Sequence, residues 1–227
     1  MARYSHRLLA DFKTLLKDPR SGLRLFYDMR IRAGRYILLR ETFIAQPYYW
    51  LKTELRSGTT LIDIGANIGD TAIYFAMDDK VRRVVAYELM PHTFNEARQN
   101  VGISPYKGKI SLINKAVSDA PGSMKIDSEM LGSSASSVSQ MARSATGVSV
   151  ERVKLGDVLK GMRNVAIKCD CEGDERSIFN EADLSNVYAI QVEYHNCLPE
   201  VLKALRSKGF KAKGSGTKAM GFIYATR

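Results

Sequence analysis

The sequence predicts an α/β fold: a mostly parallel, seven-stranded sheet with an antiparallel C-terminal strand and a helical N-terminal segment. Three observations predict it. From residue 59 onward short apolar runs alternate with helix-period stretches, the pattern of a parallel sheet covered on both faces. The run Thr60-Leu61-Ile62-Asp63-Ile64-Gly65-Ala66-Asn67-Ile68-Gly69-Asp70 passes from an apolar strand through an acid into a glycine-rich turn and a helix start. The last two apolar runs are separated only by a short turn, so they must be antiparallel.

The elements follow in order. Residues 5–17 carry Leu8, Leu9, Phe12, Leu15 and Leu16 at helical spacing, and Asp18-Pro19 ends the helix. Residues 23–45 mix aromatic, aliphatic and arginine residues around a turn at Ala33-Gly34. Gln46-Pro47 opens a helix that stops near Ser57-Gly58. Strands are expected over 60–64, 83–87, 110–114, 165–169, 189–193, 210–213 and 221–225, with a short extra one over 123–126. Helices are expected over 70–77, 91–101 and 198–207, and a turn over 214–217. Residues 128–147 hold seven serines and two glycines, so they are expected to form a lid, a binding loop or a surface insertion. The division expected is a basic, mainly helical segment over 1–57 and a sheet domain over 58–227.

Composition narrows the classes. No apolar run approaches the roughly 20 residues of a membrane span, and residues 1–10 lack an apolar signal core. Three cysteines without framework spacing fit a reducing compartment, so a cytoplasmic location is expected. The net charge of +10 is uneven: residues 1–57 carry a surplus of seven positive charges and the other 170 only three. A basic arm of this kind suits an anionic membrane, nucleic acid or a phosphorylated substrate, or simply a solvated surface.

The strand ends carry the chemistry. Gly65 lets the backbone approach a ligand, Gly69 lets the following helix pack tightly, and Asp63 is expected near the ligand's charged end. Glu88 closes the second strand, 19 residues after Gly69. An acid at that spacing can accept both hydroxyls of a ribose. After the third strand, Ala116 and Val117 are expected to contact an adenine and Ser118 to meet its edge. The fourth strand delivers Asp170 and Glu172, and the fifth His195, as groups that orient an acceptor or remove its proton. Cys169-x-Cys171 and His195-x-Cys197 could be spatial neighbours, but their spacings are tighter than structural-zinc patterns, so no metal is expected.

Taken with Asn114–Asp119, Leu155–Leu159, Ile167-Lys168-x-Asp170-x-Glu172-Gly173-x-Glu175 and Val192-Glu193-x-His195, the Asp63–Gly69 motif resembles the FkbM family of methyltransferases over about residues 58–225. That resemblance implies a Rossmann-like class I methyltransferase fold and S-adenosyl-L-methionine as cofactor. It implies Asp63, Gly65, Ala66, Asn67, Gly69 and Glu88 as cofactor-binding residues, and a saccharide or related hydroxyl or carboxylate as acceptor. The chain departs from the family in placing Cys169 and Cys171 around Asp170, where aliphatic residues are usual. Two alternatives compete. One is an RNA methyltransferase, against which the chain lacks the N-P-P-Y or D-P-P-Y turn that shapes a base pocket. The other is a protein docked on membrane through its basic N-terminus beside a lipid-linked acceptor. The expected partner is a small-molecule or glycan acceptor, not nucleic acid.

Overall fold

The computed structural model describes residues 41–126 and 147–227. The helix expected over 5–17, the Ala33-Gly34 turn, most of the basic arm and the serine-rich stretch up to residue 146 lie outside the described residues.

The described chain begins with a π-helical turn, Glu41–Ala45, and helix α1, Tyr49–Glu54. Strand β1 (Thr59–Ile64), helix α2 (Asp70–Ala76), β2 (Val81–Tyr87), α3 (Pro91–Ile103) and β3 (Ile110–Ile113) follow. Next come β4 (Ala116–Ser118), β5 (Gly122–Ile126), β6 (Val148–Lys154) and α4 (Leu155–Leu159). The chain then runs through β7 (Val165–Cys169), α5 (Glu175–Ile178), β8 (Val187–His195), α6 (Leu198–Ser207), β9 (Lys211–Gly216) and β10 (Met220–Thr226).

Seven strands form the main sheet in the order β3-β2-β1-β7-β8-β10-β9. The pairs from β3 to β8 are parallel, and β10 lies antiparallel between β8 and β9. All six residues of β1 are buried, because helices cover both faces of a central parallel strand. One face packs Leu61, Val84 and Ala166 under Leu51, Phe75 and Val101. The other packs Ile62, Ile64, Ile167 and Val192 under Leu155, Ile178, Val201 and Leu205.

The sheet reverses direction between β1 and β7: the chain goes outward through β2 and β3, then returns to the other side of β1. A crevice opens at such a switch point, over the carboxyl ends of the strands. A second sheet of three strands, β4-β6-β5, stands beside it. This sheet was not expected. β4 has three residues, and β6 breaks its alternation at Glu151-Arg152. The final turn also falls later than expected: Gly214 is within β9, where a Cβ would press on Leu198 Cδ1 at 2.4 Å.

Helix α1 is tied to the sheet by Gln191, which is fully buried. Its Nε2 donates to Pro47 O (2.8 Å) and its Oε1 accepts from Leu51 N (3.2 Å). Phe43, Tyr48 and Leu51 thereby join the same core as β1. Among the described residues, no helix is long and apolar enough to cross a membrane.

Candidate active site

The crevice has two lobes with Gly65 between them. At the end of β1 the chain turns through Gly65 (φ +77°), where a Cβ would sit 1.7 Å from Asp170 O. Only glycine allows the β1–α2 loop to cross the β7–α5 loop so closely. Gly65 N and Ala66 N both donate to Tyr87 O (3.0 and 2.9 Å), and Ala66 is fully buried in the core. Gly69 also has positive φ, but its missing side chain serves a helix other than the one expected. A Cβ there would meet Val101 Cγ2 at 3.3 Å and Ala97 Cβ at 3.4 Å, so the close approach is by α3.

Glu88 follows β2 and is 6% exposed. Its Oε2 accepts from Asn67 N (2.9 Å) and its Oε1 from Met90 N (2.8 Å). Burial pushes its pKa up to about 7, although both N–H donors pull the other way. Each oxygen keeps accepting capacity beyond its backbone bond. Beside Gly65, the apolar lobe is a slot walled by Tyr87, Leu89, Ala116 and Val117, with about 10 Å³ free. Ser118 does not line it: its hydroxyl donates to Ala120 O (2.9 Å) and accepts from Ala120 N (3.2 Å), closing its own turn.

The polar lobe is a cleft of about 250 Å³ bordered by Glu41, Tyr48, Asn67, Asp170, Glu172 and Glu193, among others. Lys168, 1% exposed, forms its floor. The ammonium donates to Gly65 O (2.7 Å) and lies 3.3 Å from Asp63 Oδ1 and 3.9 Å from Asp170 Oδ2. Burial alone would depress its pKa, but the charges of Asp63, Asp170 and Asp70 outweigh burial and raise it. Asp63, expected against the ligand, is fully buried instead and lines neither lobe. It holds Lys168 and accepts from Thr71 Oγ1 at 2.7 Å, because its side chain points to the α2 face of β1.

Tyr48 OH donates to Glu193 Oε2 (3.1 Å) and reaches Asp170 Oδ2 (3.4 Å). Burial and the Asp170 charge push Glu193 up to about 7; burial also raises Asp170. Thr42 Oγ1 donates to Asp70 Oδ2 at 2.5 Å, and burial lifts Asp70 to about 6. Glu172 is raised by burial and by Asp170. The lobe is therefore acidic in a chain of net charge +10.

Behind it, Glu175 is fully buried and accepts from Cys171 N and Gly173 N, each at 2.8 Å. This pins a loop in which Glu172 (φ 53°) and Gly173 (φ 121°) are left-handed. His195 bridges two carboxylates: Nδ1 lies 3.4 Å from Glu175 Oε1 and Nε2 3.6 Å from Glu172 Oε2. The Glu175 hydrogen bond is the main reason its pKa rises to about 9. That shift favours the protonated ring at neutral pH, which suits an orienting group better than a base. The three free cysteines are buried, with Cys169 and Cys171 sulfurs 3.7 Å apart and Cys197 near Glu175. The described side chains with metal-like spacing are Asp170, Glu175 and His195, within 4.8 Å of one another.

The structure thus joins Gly65, Asn67, Asp170 and Glu172 around the polar lobe, and Ala116 and Val117 around the slot. Sequence reasoning missed Tyr48 and the roles of Lys168, Glu175 and Glu193. Glu193 shares its strand-end position with Asp170, a signal that was available. Tyr48 reaches Glu193 across 145 residues of chain, and no local pattern reports that.

The model of the methyltransferase FkbM domain matches residues 63–212. A curated relative, the 31-O-demethyl-FK506 methyltransferase FkbM of Streptomyces tacrolimicus, is 28% identical over 219 residues, covering 79% of this chain and 84% of that one. Among solved structures, methyltransferase FkbM from Methylobacillus flagellatus matches with TM-score 0.51 at 13% identity, over 96% of this chain and 59% of that one. An O-methyltransferase family protein from Burkholderia thailandensis matches with TM-score 0.51 at 12% identity, over 100% and 70%. At such identities the structural matches establish the Rossmann-like methyltransferase fold, and the domain match carries the assignment: this chain belongs to the FkbM methyltransferase family.

Proposed function

We propose that the protein is an S-adenosyl-L-methionine-dependent O-methyltransferase acting on a hydroxyl of a saccharide or similar small molecule. The observation that carries this reading is Glu88 beside the Gly65–Asn67 turn, buried and outside the lining of both lobes, bonded to Asn67 N and Met90 N with accepting capacity left over. The donor set fits the cofactor. Glu88 suits two ribose hydroxyls, the Tyr87–Val117 slot suits a purine face, and the acidic cleft suits a sulfonium and an ammonium. With about 10 Å³ free, the slot must widen to admit a ring.

When bound, the cofactor supplies a methyl group on positive sulfur, open to displacement by an oxygen in line with the C–S bond. The chain must align that oxygen and take its proton. Asp170 and Glu193 lie side by side at the ends of the neighbouring strands β7 and β8, bridged by Tyr48 OH. Glu193, which lines the cleft, bonds Tyr48 OH and is raised to about 7 by burial and the Asp170 charge, takes the hydroxyl proton. Asp170 and Glu172 orient the acceptor, and Lys168 fixes the Gly65 carbonyl. The His195 imidazolium holds Glu172 and Glu175 in place. An acidic cleft disfavours a carboxylate acceptor and an RNA backbone alike.

Calorimetry with S-adenosylmethionine tests the reading. Binding at one equivalent is expected, with affinity at least about tenfold weaker for Glu88→Ala, the loss of a charged hydrogen-bond acceptor. No binding to the intact protein, or no change in the variant, would overturn it.

A further inference from the structure

A second cleft lies at the opposite edge of the sheet, where the parallel strands begin. It holds about 350 Å³ and is lined by Arg56, Arg163 and Arg227 with Asn164, Asn186 and Tyr188. The arginines and asparagines sit just before β1, β7 and β8 and just after antiparallel β10, and Tyr188 is the second residue of β8. The five residues of β7 alone put roughly 16 Å between this cleft and the crevice.

Two of the arginines are rigidly mounted. The Arg56 guanidinium lies 4.2 Å over the Tyr188 ring, and the Arg227 guanidinium 4.4 Å over the Phe210 ring. Arg56 Nη2 donates to Arg227 O (3.2 Å), and Arg227 donates through Nε to Val187 O (2.8 Å) and through Nη1 to Lys208 O (3.3 Å). Those bonds use a minority of the ten N–H groups that two guanidiniums carry. Arg163 is exposed and makes no hydrogen bond or ion pair with a described residue. Among the described residues no aspartate or glutamate lies within 4.0 Å of any of the three. Asp183 is the acid whose charge feels Arg227, after the stronger effect of its bond from Ser185 N.

Three arginines line one cleft, and beyond their bonds to Arg227 O, Val187 O and Lys208 O and the charge of Asp183 most of their N–H groups remain open to an anion. Planar forks already stacked on aromatic rings lose little freedom on binding and match phosphate oxygens two at a time. We propose that the Arg56–Arg163–Arg227 cleft binds a phosphate group, carried by a soluble phosphorylated molecule or by an anionic lipid headgroup. A ligand held there takes no part in methyl transfer. It would tether the protein with the reaction crevice facing away from the tether.

The test uses the full chain at low ionic strength, with inorganic pyrophosphate as titrant in a calorimeter. Saturable binding at one equivalent is expected. Arg163→Gln, which removes no described contact, should weaken it about tenfold or more. Lys218→Gln, in the β9–β10 turn at the other edge of the sheet, controls for net charge and should change affinity less than about twofold. Absence of saturable binding at millimolar pyrophosphate would overturn the proposal, as would equal weakening by both variants. Co-sedimentation with phosphatidylglycerol–phosphatidylcholine vesicles, against phosphatidylcholine alone, separates the sources. Lipid recognition requires Arg163-dependent, pyrophosphate-competed sedimentation; pyrophosphate binding without it identifies a soluble ligand.

Discussion

Replacing Lys168 with methionine shortens the side chain by one atom and removes one buried charge. Lys168 is 1% exposed and Asp63 is fully buried, so water cannot take over the lost interaction. Asp63 would keep only its bond from Thr71, and Gly65 O would lose its 2.7 Å donor. Breaking a buried ion pair from one side costs about 3–5 kcal/mol. With a urea m-value of about 2–3 kcal/mol/M for a chain of this size, the midpoint should fall by about 1–2.5 M. The partner variant decides whether the loss is the stranded carboxylate. Asp63→Leu combined with Lys168→Met replaces the pair by apolar groups and should recover most of the midpoint. A fall below about 0.3 M in the single variant, or a double variant no more stable than the single, would refute the assignment of Lys168 and Asp63 as a structural pair under the loop.

Other outcomes follow from the same geometry. Gly65→Ala should abolish S-adenosylmethionine binding in calorimetry, since its Cβ would overlap the Asp170 carbonyl, whereas Gly69→Ala should keep binding at a stability cost of about 1–3 kcal/mol for its left-handed backbone and the crowding of α3. Affinity for the cationic cofactor should rise between pH 5.5 and 8, as Glu88 and Glu193, both near 7, become ionised; a flat pH profile would contradict their place in the site. His195 acts in the opposite sense on stability. Its folded pKa near 9 lies above the unfolded value, so its contribution is complete below about pH 6.5 and lost as pH rises through 9. The urea midpoints of wild type and His195→Gln should therefore differ at pH 6 and converge above pH 9.5. The cysteines are buried with raised pKa values, Cys197 near 11, so a thiol reagent at pH 8 should label them only after unfolding.

The features legible in the sequence are those that local chemistry dictates. Gly65 and Glu88 are readable because a single strand–helix–strand unit fixes their spacing, and the antiparallel end because a short turn allows nothing else. Asp63 was visible as an acid at a strand end, but its direction was not. β1 is buried on both faces, so apolar periodicity cannot say which face the carboxylate takes, and Lys168 on the neighbouring strand decides it. Tyr48, Thr42 and Glu41 come to the crevice from an element whose docking depends on Gln191, a contact spanning more than 140 residues. His195 reads in the sequence as a base or an acceptor-orienting group because an isolated imidazole titrates near neutrality; the two carboxylates that raise it are brought beside it only by the fold.

The most direct test is a crystal structure of the protein grown with S-adenosylhomocysteine. The expected result is a ribose with both hydroxyls on Glu88, a purine in a widened slot between Leu89 and Val117, and the amino-acid end between Asn67 and Asp170. A nucleoside bound elsewhere, or an unfilled crevice in protein saturated with the compound, would contradict the assignment of this crevice to the cofactor.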